Sequence, residues 1–194
     1  LLAFVFAESV GVVAQSRRPY YSREIGLVAD NDILVFQDFY YTAGQDFVYR
    51  RLLGSDAKFH RLFKPSSGGD SAKIIVQYRY GFKIFTPYDI SASEAGKLDR
   101  PYAGWNYGDV TFLNFPTPRS GNQYQLQVGV VGAASGMEEL QKWIHGFTHF
   151  SLPKGWSNQI ENEPVINLEY ARLQSLRLGT DIDLVSQSSI QVGT

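Results

Sequence analysis

The segment at residues 72–84, AKIIVQYRYGFKI, alternates between two kinds of side chain along its whole length. Its even positions are apolar or aromatic, and most of its odd positions are basic, polar or small. Because successive side chains of a β-strand point to opposite faces of the sheet, this period predicts a strand with one apolar and one polar face. A chain built from such strands must give its two faces different surroundings.

Two more segments repeat this alternation, NQYQLQVGVVG at residues 122–132 and PVINLEYAR at residues 164–172. The other strand candidates alternate less regularly or are less distinct, and they lie at residues 24–33, 42–53, 105–115 and 181–191. Runs of turn-forming residues predict loops at 64–71, 91–101 and 115–122. We therefore expect an all-β, antiparallel fold of about seven strands. No linker to a second domain is evident, so residues 20–194 are expected to form one domain.

Alternation alone does not distinguish a soluble β-sandwich from an outer-membrane β-barrel, because either fold separates a polar from an apolar face. Three observations favour the barrel. The strands are about ten residues long, the aromatic share is 14%, and the first residues resemble a secretory signal. No stretch approaches the ~20 apolar residues of a membrane-spanning helix. We expect a bacterial outer-membrane barrel, with the soluble sandwich as the alternative.

The sequence also makes a prediction for each end of the chain. Residues 1–15, within LLAFVFAESVGVVAQS, are predicted to be the remnant of a signal peptide, and the alternative is a buried strand or helix. The final QVGT lies inside a predicted strand, so the barrel is expected to be incomplete at the C-terminus. The chain has no cysteine and a net charge of −1, which excludes thiolate metal sites and makes nucleic acid an unexpected partner.

One amphipathic helix is predicted in this β-rich chain, at residues 137–150, MEELQKWIHGFTHF. Helical spacing places apolar side chains on one side, namely Met137, Leu140, Ile144 and Phe147. Another side carries a polar stripe at spacing i, i+4, i+8, formed by Gln141, His145 and His149. We expect the apolar side to pack and the imidazoles to face a cleft.

The spacing of the histidines is compatible with three roles. A neutral imidazole can take a proton from water, so His145 is a candidate general base with Gln141 one turn away. The pair His145 and His149 could instead chelate zinc, although the glutamate of an H-E-x-x-H motif is absent. The third interpretation is a surface helix with solvated histidines.

Several segments, taken in order, resemble the outer-membrane lipid A 3′-O-deacylase family (LpxR-like lipid A deacylases). They are ADNDILVF, YYTAGQ, LDRPYAGW, QKWIH and PKGWSNQIENEP, spread over residues 29–164. The resemblance implies a barrel of about twelve strands, with its active site between the wall and a helix from an extracellular loop. It further implies hydrolysis of an ester-linked acyl chain of lipid A or lipopolysaccharide, contact with membrane lipid, and Ca²⁺ as cofactor.

The resemblance also assigns site residues, which are Asn31, Asp32, Thr42, Gln141 and His145 as catalytic residues and Asp32 with Glu161 as metal ligands. Ester hydrolysis without a nucleophilic serine needs a base that activates water, which His145 can supply. It also needs charge or hydrogen-bond donors at the developing oxyanion, for which Ca²⁺ on Asp32 is one source. Asn31 and Thr42 could orient the ester or donate to the oxyanion.

The chain departs from the family pattern at two places. The stretch GFTHFSLP after His145 has no carboxylate, and YDISASEA lacks an expected basic pair. A catalytically silent envelope barrel with a structural or lipid-binding role is therefore one alternative. A phospholipase-type hydrolase with Ser135 or Ser151 as nucleophile is another. DRPYAGW is expected to be structural, and Trp105 and Trp156 to be packing or interface residues.

Overall fold

A computed structural model describes residues 22–31, 40–54, 73–148 and 150–194. Seven antiparallel strands form one sheet in sequence order, each beside the next. They are β1 (Arg23–Asn31), β2 (Tyr40–Leu52), β3 (Lys73–Thr86), β4 (Ala103–Thr117), β5 (Ser120–Val131), β6 (Glu163–Arg177) and β7 (Asp183–Gly193). The α-helix of the described ranges is α1 (Met137–Thr148), between β5 and β6. No helix in these ranges is long and apolar enough to cross a membrane.

The strands lie where the sequence predicts them, and several are longer. β6 continues to Arg177 because it pairs with β7 up to the contact of Arg177 with Asp183. The sequence of β4 does not alternate clearly, because small or polar residues occupy the face that is apolar in β3. They are Gly104, Asn106 and Gly108. The ends of the strands thus depend on inter-strand hydrogen bonds, and the alternation of apolar residues does not predict them.

The two faces of the sheet differ as the alternation predicts. We call the face that carries Tyr78 and Tyr80 of β3 the apolar face, and the face that carries Arg79 the polar face. On the polar face, the Arg79 Nε donates to Asp109 at 2.5 Å, and Arg79 also lies 3.7 Å from Asp46. Opposite charges therefore neutralise each other there.

The core of the described residues lies on the apolar face, beneath α1. It consists of Phe82, Ile84, Tyr102, Met137 and Trp156. Ile84 is opposite Gly104 in the register of β3 and β4. A Cβ on Gly104 would lie 2.5 Å from the Met137 Cβ, so only glycine lets α1 approach the strand this closely. The fold therefore places the helix against one end of the sheet.

Candidate active site

The turn from β5 into α1 is built from glycines and one serine. Gly132 and Gly136 have φ angles of +86° and +74°, a region that side chains other than glycine rarely adopt. The Ser135 hydroxyl donates to the Gly132 carbonyl at 2.6 Å. The Ala134 N–H donates to Asn162 Oδ1 at 2.7 Å, which joins the turn to the segment after the helix. These contacts set where α1 begins on the sheet.

The buried residues of α1 are Met137, Gln141 and His145, which lie on one side of the helix. Trp143 and Phe147 are 69% and 76% exposed, and their rings stack on each other. Of the apolar side that was expected to pack, Met137 is buried and Leu140 packs against the core, whereas for Phe147 the prediction is wrong. Buried polar groups need partners, and Gln141 and His145 find them in the segment that follows the helix.

The His145 imidazole is fixed by the backbone that follows the helix. Its Nδ1 lies 2.7 Å from the Ser151 carbonyl oxygen. Since a carbonyl only accepts hydrogen bonds, Nδ1 carries the proton, and Nε2 of the neutral ring keeps its lone pair. Phe150 packs against the imidazole with ring centroids 5.9 Å apart. An orienting acceptor is thus present although residues 146–152 contain no carboxylate.

The Gln141 side chain is buried one turn before His145. Its Oε1 accepts a hydrogen bond from the Trp156 indole Nε1–H at 2.8 Å. Within the described ranges, no atom accepts a hydrogen bond from its Nε2. Gln141 therefore holds a buried donor group on the same side of α1 as the imidazole.

Trp156 is supported by two of the sequence motifs. The Tyr102 ring, from DRPYAGW, packs against the indole with centroids 4.8 Å apart. A Cβ on Gly155 would lie 2.7 Å from Tyr102 Cε2, so the glycine of PKGW permits this close packing. The structural role expected for DRPYAGW agrees with these contacts, and Trp156 is a buried packing residue that also donates a hydrogen bond.

The loop between β3 and β4 holds Tyr102 from the other side. The Tyr102 hydroxyl donates to the Ile90 carbonyl at 3.0 Å, and the Lys154 N–H donates to the same carbonyl at 3.0 Å. Ser91 donates its hydroxyl and its backbone N–H to Asp89, and these hydrogen bonds lower the pKa of the Asp89 carboxyl. The loop is thus internally bonded beside the site.

Thr42 lies at a β-bulge of β2, where the register shifts between Tyr41 and Ala43. Its hydroxyl lies 3.1 Å from the Thr86 hydroxyl, and both side chains are buried. Ala43 is opposite Ile84, so the two threonines lie at the end of the sheet that α1 covers. Sequence analysis missed Thr86; its place in FTP, directly before a loop, was the available signal.

The remaining predicted site residues are only partly described. Asn31 ends β1, with its backbone opposite Ala43. Asp32 and His149 lie outside the described residues, as do residues 1–15 of the predicted signal remnant. The structure therefore brings Gln141 and His145 together and places Thr42 at the same end of the sheet.

Of the two predicted metal ligands, only Glu161 lies within the described ranges. Those ranges contain no group of three or more His, Asp or Glu side chains that could hold a metal ion. Glu161 is exposed, and it is its backbone carbonyl that approaches the turn, 2.5 Å from where a Cβ on Gly132 would lie. Because Asp32 and His149 lie outside these ranges, calcium and zinc binding stay predictions of the sequence.

A family model described as outer membrane protein LpxR matches residues 1–194. The chain belongs to this family. Membership confirms the resemblance and places the chain among outer-membrane proteins, so the soluble sandwich is wrong. Among solved structures, LpxR from Salmonella typhimurium matches with a TM-score of 0.66 and 15% identity.

That match covers 87% of this chain and 57% of the Salmonella LpxR chain. At this identity the likeness concerns the fold, and it supports the outer-membrane barrel class that the strands predict. The chain spans little more than half the length of that LpxR. The comparison with curated proteins gives no match.

Proposed function

We propose that this LpxR-family protein hydrolyses an ester-linked acyl chain of lipid A, at the 3′-O position. The observation that carries the proposal is the His145 imidazole, which is buried and has its Nδ1 hydrogen-bonded to the Ser151 carbonyl. A base held in this tautomer can activate water without a carboxylate partner. Lipid A or lipopolysaccharide is the substrate, and it is reached from the surrounding membrane lipid.

The reaction begins when His145 Nε2 takes a proton from water as the water oxygen bonds to the acyl carbonyl carbon. The carbonyl oxygen becomes an oxyanion, which hydrogen-bond donors stabilise. Gln141 Nε2 is the donor nearest along the helix, and Asn31 and Thr42 are the donors carried by the family resemblance. Collapse of the tetrahedral intermediate breaks the ester C–O bond, and the imidazolium returns its proton to the leaving alkoxide.

The expected effects of substitution follow from these roles. A general base contributes about 10²–10⁴ in rate, so His145→Ala is expected to lower kcat by that factor. One oxyanion donor contributes about 10²–10³, which is the loss expected for Gln141→Ala if its amide contacts the oxyanion.

Calcium binding is a separate part of the proposal. It rests on the family resemblance alone, with Asp32 and Glu161 as the ligands. Because the described residues hold no group of three metal-ligating side chains, no step above passes through a metal. We expect the activity of the detergent-purified protein to fall on adding EGTA and to return with Ca²⁺. Unchanged activity in EGTA would remove calcium and leave the histidine mechanism in place.

A serine nucleophile is the second candidate considered from the sequence, and two contacts argue against it. The Ser135 hydroxyl donates to the Gly132 carbonyl, where it helps to shape the start of α1. Ser151 contacts His145 through its backbone carbonyl, which cannot act as a nucleophile. Labelling by a serine-directed phosphonate that abolishes activity would reverse this preference.

The test of the proposal is the mass spectrum of lipid A from cells that express the full-length protein in their outer membrane. Wild type is compared with His145→Ala and with Lys142→Ala, an exposed position on the same helix. We expect lipid A lacking one acyl chain with wild type and Lys142→Ala, and intact lipid A with His145→Ala. Intact lipid A in all three would overturn the proposal and favour a silent structural or lipid-binding barrel.

A further inference from the structure

We infer that Trp156 is a positioning residue of the site, because its indole N–H holds the Gln141 amide in the one orientation that presents an N–H donor to the substrate. This inference rests on the proposed ester hydrolysis. It assigns a role to a side chain that the sequence indicated only as a packing or interface aromatic.

The orientation follows from the chemistry of the contact. Trp156 Nε1 lies 2.8 Å from Gln141 Oε1, and both residues are 1% exposed. An indole N–H is a donor only, so it requires the amide oxygen opposite it. Turning the amide by half a rotation would bring two donors together in a buried place, where an unsatisfied polar group is costly.

The consequence concerns the other end of the amide. With Oε1 engaged by Trp156, the NH₂ group is the part of Gln141 left to contact a ligand. Its Nε2 has no acceptor within the described ranges, although the residue is buried. His145 follows by four positions, which is a rise of about 6 Å on the same side of an α-helix. The amide donor and the proposed base are therefore neighbours along α1.

Trp156 is itself held rigidly enough to act in this way. Tyr102 packs against its ring at a tilt of 38°, and a side chain at position 155 would collide with Tyr102. The Asn158 N–H donates to the Gly155 carbonyl at 2.9 Å, which closes the short 3₁₀ turn Trp156–Asn158. The segments DRPYAGW, QKWIH and PKGWSNQIEN thus meet at a single buried hydrogen bond.

The variant that isolates this role is Trp156→Phe in the full-length protein, because phenylalanine keeps an aromatic ring against Tyr102 and removes only the N–H and part of the ring system. We expect kcat to fall about tenfold to a hundredfold, with KM changed by less than about twofold. Trp143→Phe is the matched control at an exposed tryptophan of α1 and should leave both constants within about twofold. Equal losses in both variants would overturn the inference.

A double-mutant cycle separates positioning from packing. If Trp156 acts through Gln141, Trp156→Phe has no further effect on kcat once Gln141 is alanine. A residue that only supports the fold would lower kcat by the same factor in either background. Additive losses therefore contradict the inference even when the single variant is slow.

A spectroscopic measurement tests the contact without using activity. In ¹⁵N-indole-labelled protein in detergent, the Trp156 Nε1–H should exchange slowly with solvent, and Gln141→Ala should accelerate this exchange about tenfold or more. The exposed Trp143 indole provides the fast-exchanging reference. An unchanged Trp156 signal would overturn the inference. If the wild-type protein does not deacylate lipid A, both the proposed function and the catalytic part of this inference are wrong. The exchange rates would still show whether Trp156 donates a hydrogen bond to Gln141.

Discussion

Between residues 78 and 84, the apolar face of β3 has two halves with opposite surroundings. Tyr78 and Tyr80 are 51% and 50% exposed, whereas Phe82 and Ile84 are 8% and 1% exposed. All four belong to one uninterrupted alternation, so the sequence treats them alike. The difference arises because α1 and Trp156 cover the second half and nothing in the described ranges covers the first to the same degree. Alternation therefore determines which face a side chain occupies and leaves its covering undetermined.

The neighbouring strands are adapted to this difference. In register with the covered Ile84 lie the small residues Ala43 and Gly104. In register with the exposed Tyr78 lie Tyr49 and Val110, which are larger. Small side chains give α1 room to approach the sheet, while bulky ones suit a surface that contacts lipid.

The largest effect is expected for Gly104→Leu, which should displace α1 from the covered half of the apolar face. The new side chain would occupy the space of Met137 and Ser135, so α1 should leave the sheet. We expect lipid A deacylation to fall at least about a hundredfold, because small displacements of a site have effects of that size. Circular dichroism should show an unchanged sheet.

Gly96→Leu is the matched control, because nothing lies within 4 Å of a Cβ at that position. It should deacylate lipid A at the wild-type rate. If Gly104→Leu is also fully active, α1 does not need its contact with β4, and the covered half is not part of the site.

A second test compares two isoleucines of the apolar face, Ile84 in the covered half and Ile166 in the open part. Ile84→Ala should lower the free energy of unfolding by about 2–4 kcal/mol, because it leaves a cavity beneath α1. Ile166→Ala, at a half-exposed side chain, should lower it by about 1 kcal/mol or less. Urea unfolding of the protein in lipid vesicles measures both, and equal values would show that lipid packs as tightly as the helix.

A smaller effect is expected for Tyr102→Phe, which keeps the ring against Trp156 and removes one hydrogen bond. The Ile90 carbonyl would lose the Tyr102 hydroxyl and keep the Lys154 N–H. We expect a loss of about 0.5–1.5 kcal/mol in the free energy of unfolding, measured in the same vesicles. A loss like that of Ile84→Ala would mean that the loop, rather than the apolar core, holds the covering in place.

The smallest effect belongs to the outer side of α1. Lys142 and Glu138 form an i, i+4 ion pair with an Nζ–Oε1 distance of 2.5 Å, and the lysine side chain is 46% exposed. Lys142→Ala should change the free energy of unfolding by less than about 0.5 kcal/mol, because exposed pairs contribute little. A larger change in thermal unfolding would show that the outer side of the helix has a partner of its own.

The success of the strand predictions has a local cause. Period-two patterns depend only on consecutive residues, so β3, β5 and β6 follow directly from the sequence, and the ordered motifs locate Gln141 and His145 on one helix. The packing of Phe147 was predicted wrongly, because its side chain is exposed. The rule that apolar residues are buried assumes water outside, and it does not apply to a helix such as this one, which has lipid as its expected surroundings in an outer-membrane protein.

By itself, then, the sequence determined the strands, their two faces, the helix and the family of this protein, because each of these depends on local pattern or ordered motifs. Tertiary structure alone decided that Gln141 and His145 are buried, that Trp156 bonds to Gln141, and that Thr86 lies beside Thr42. These contacts join residues 15 and 44 positions apart in the chain. The contact of Thr42 with Thr86 exists only once β2 and β3 have paired in register, and that of Gln141 with Trp156 only once the segment after α1 packs on the helix.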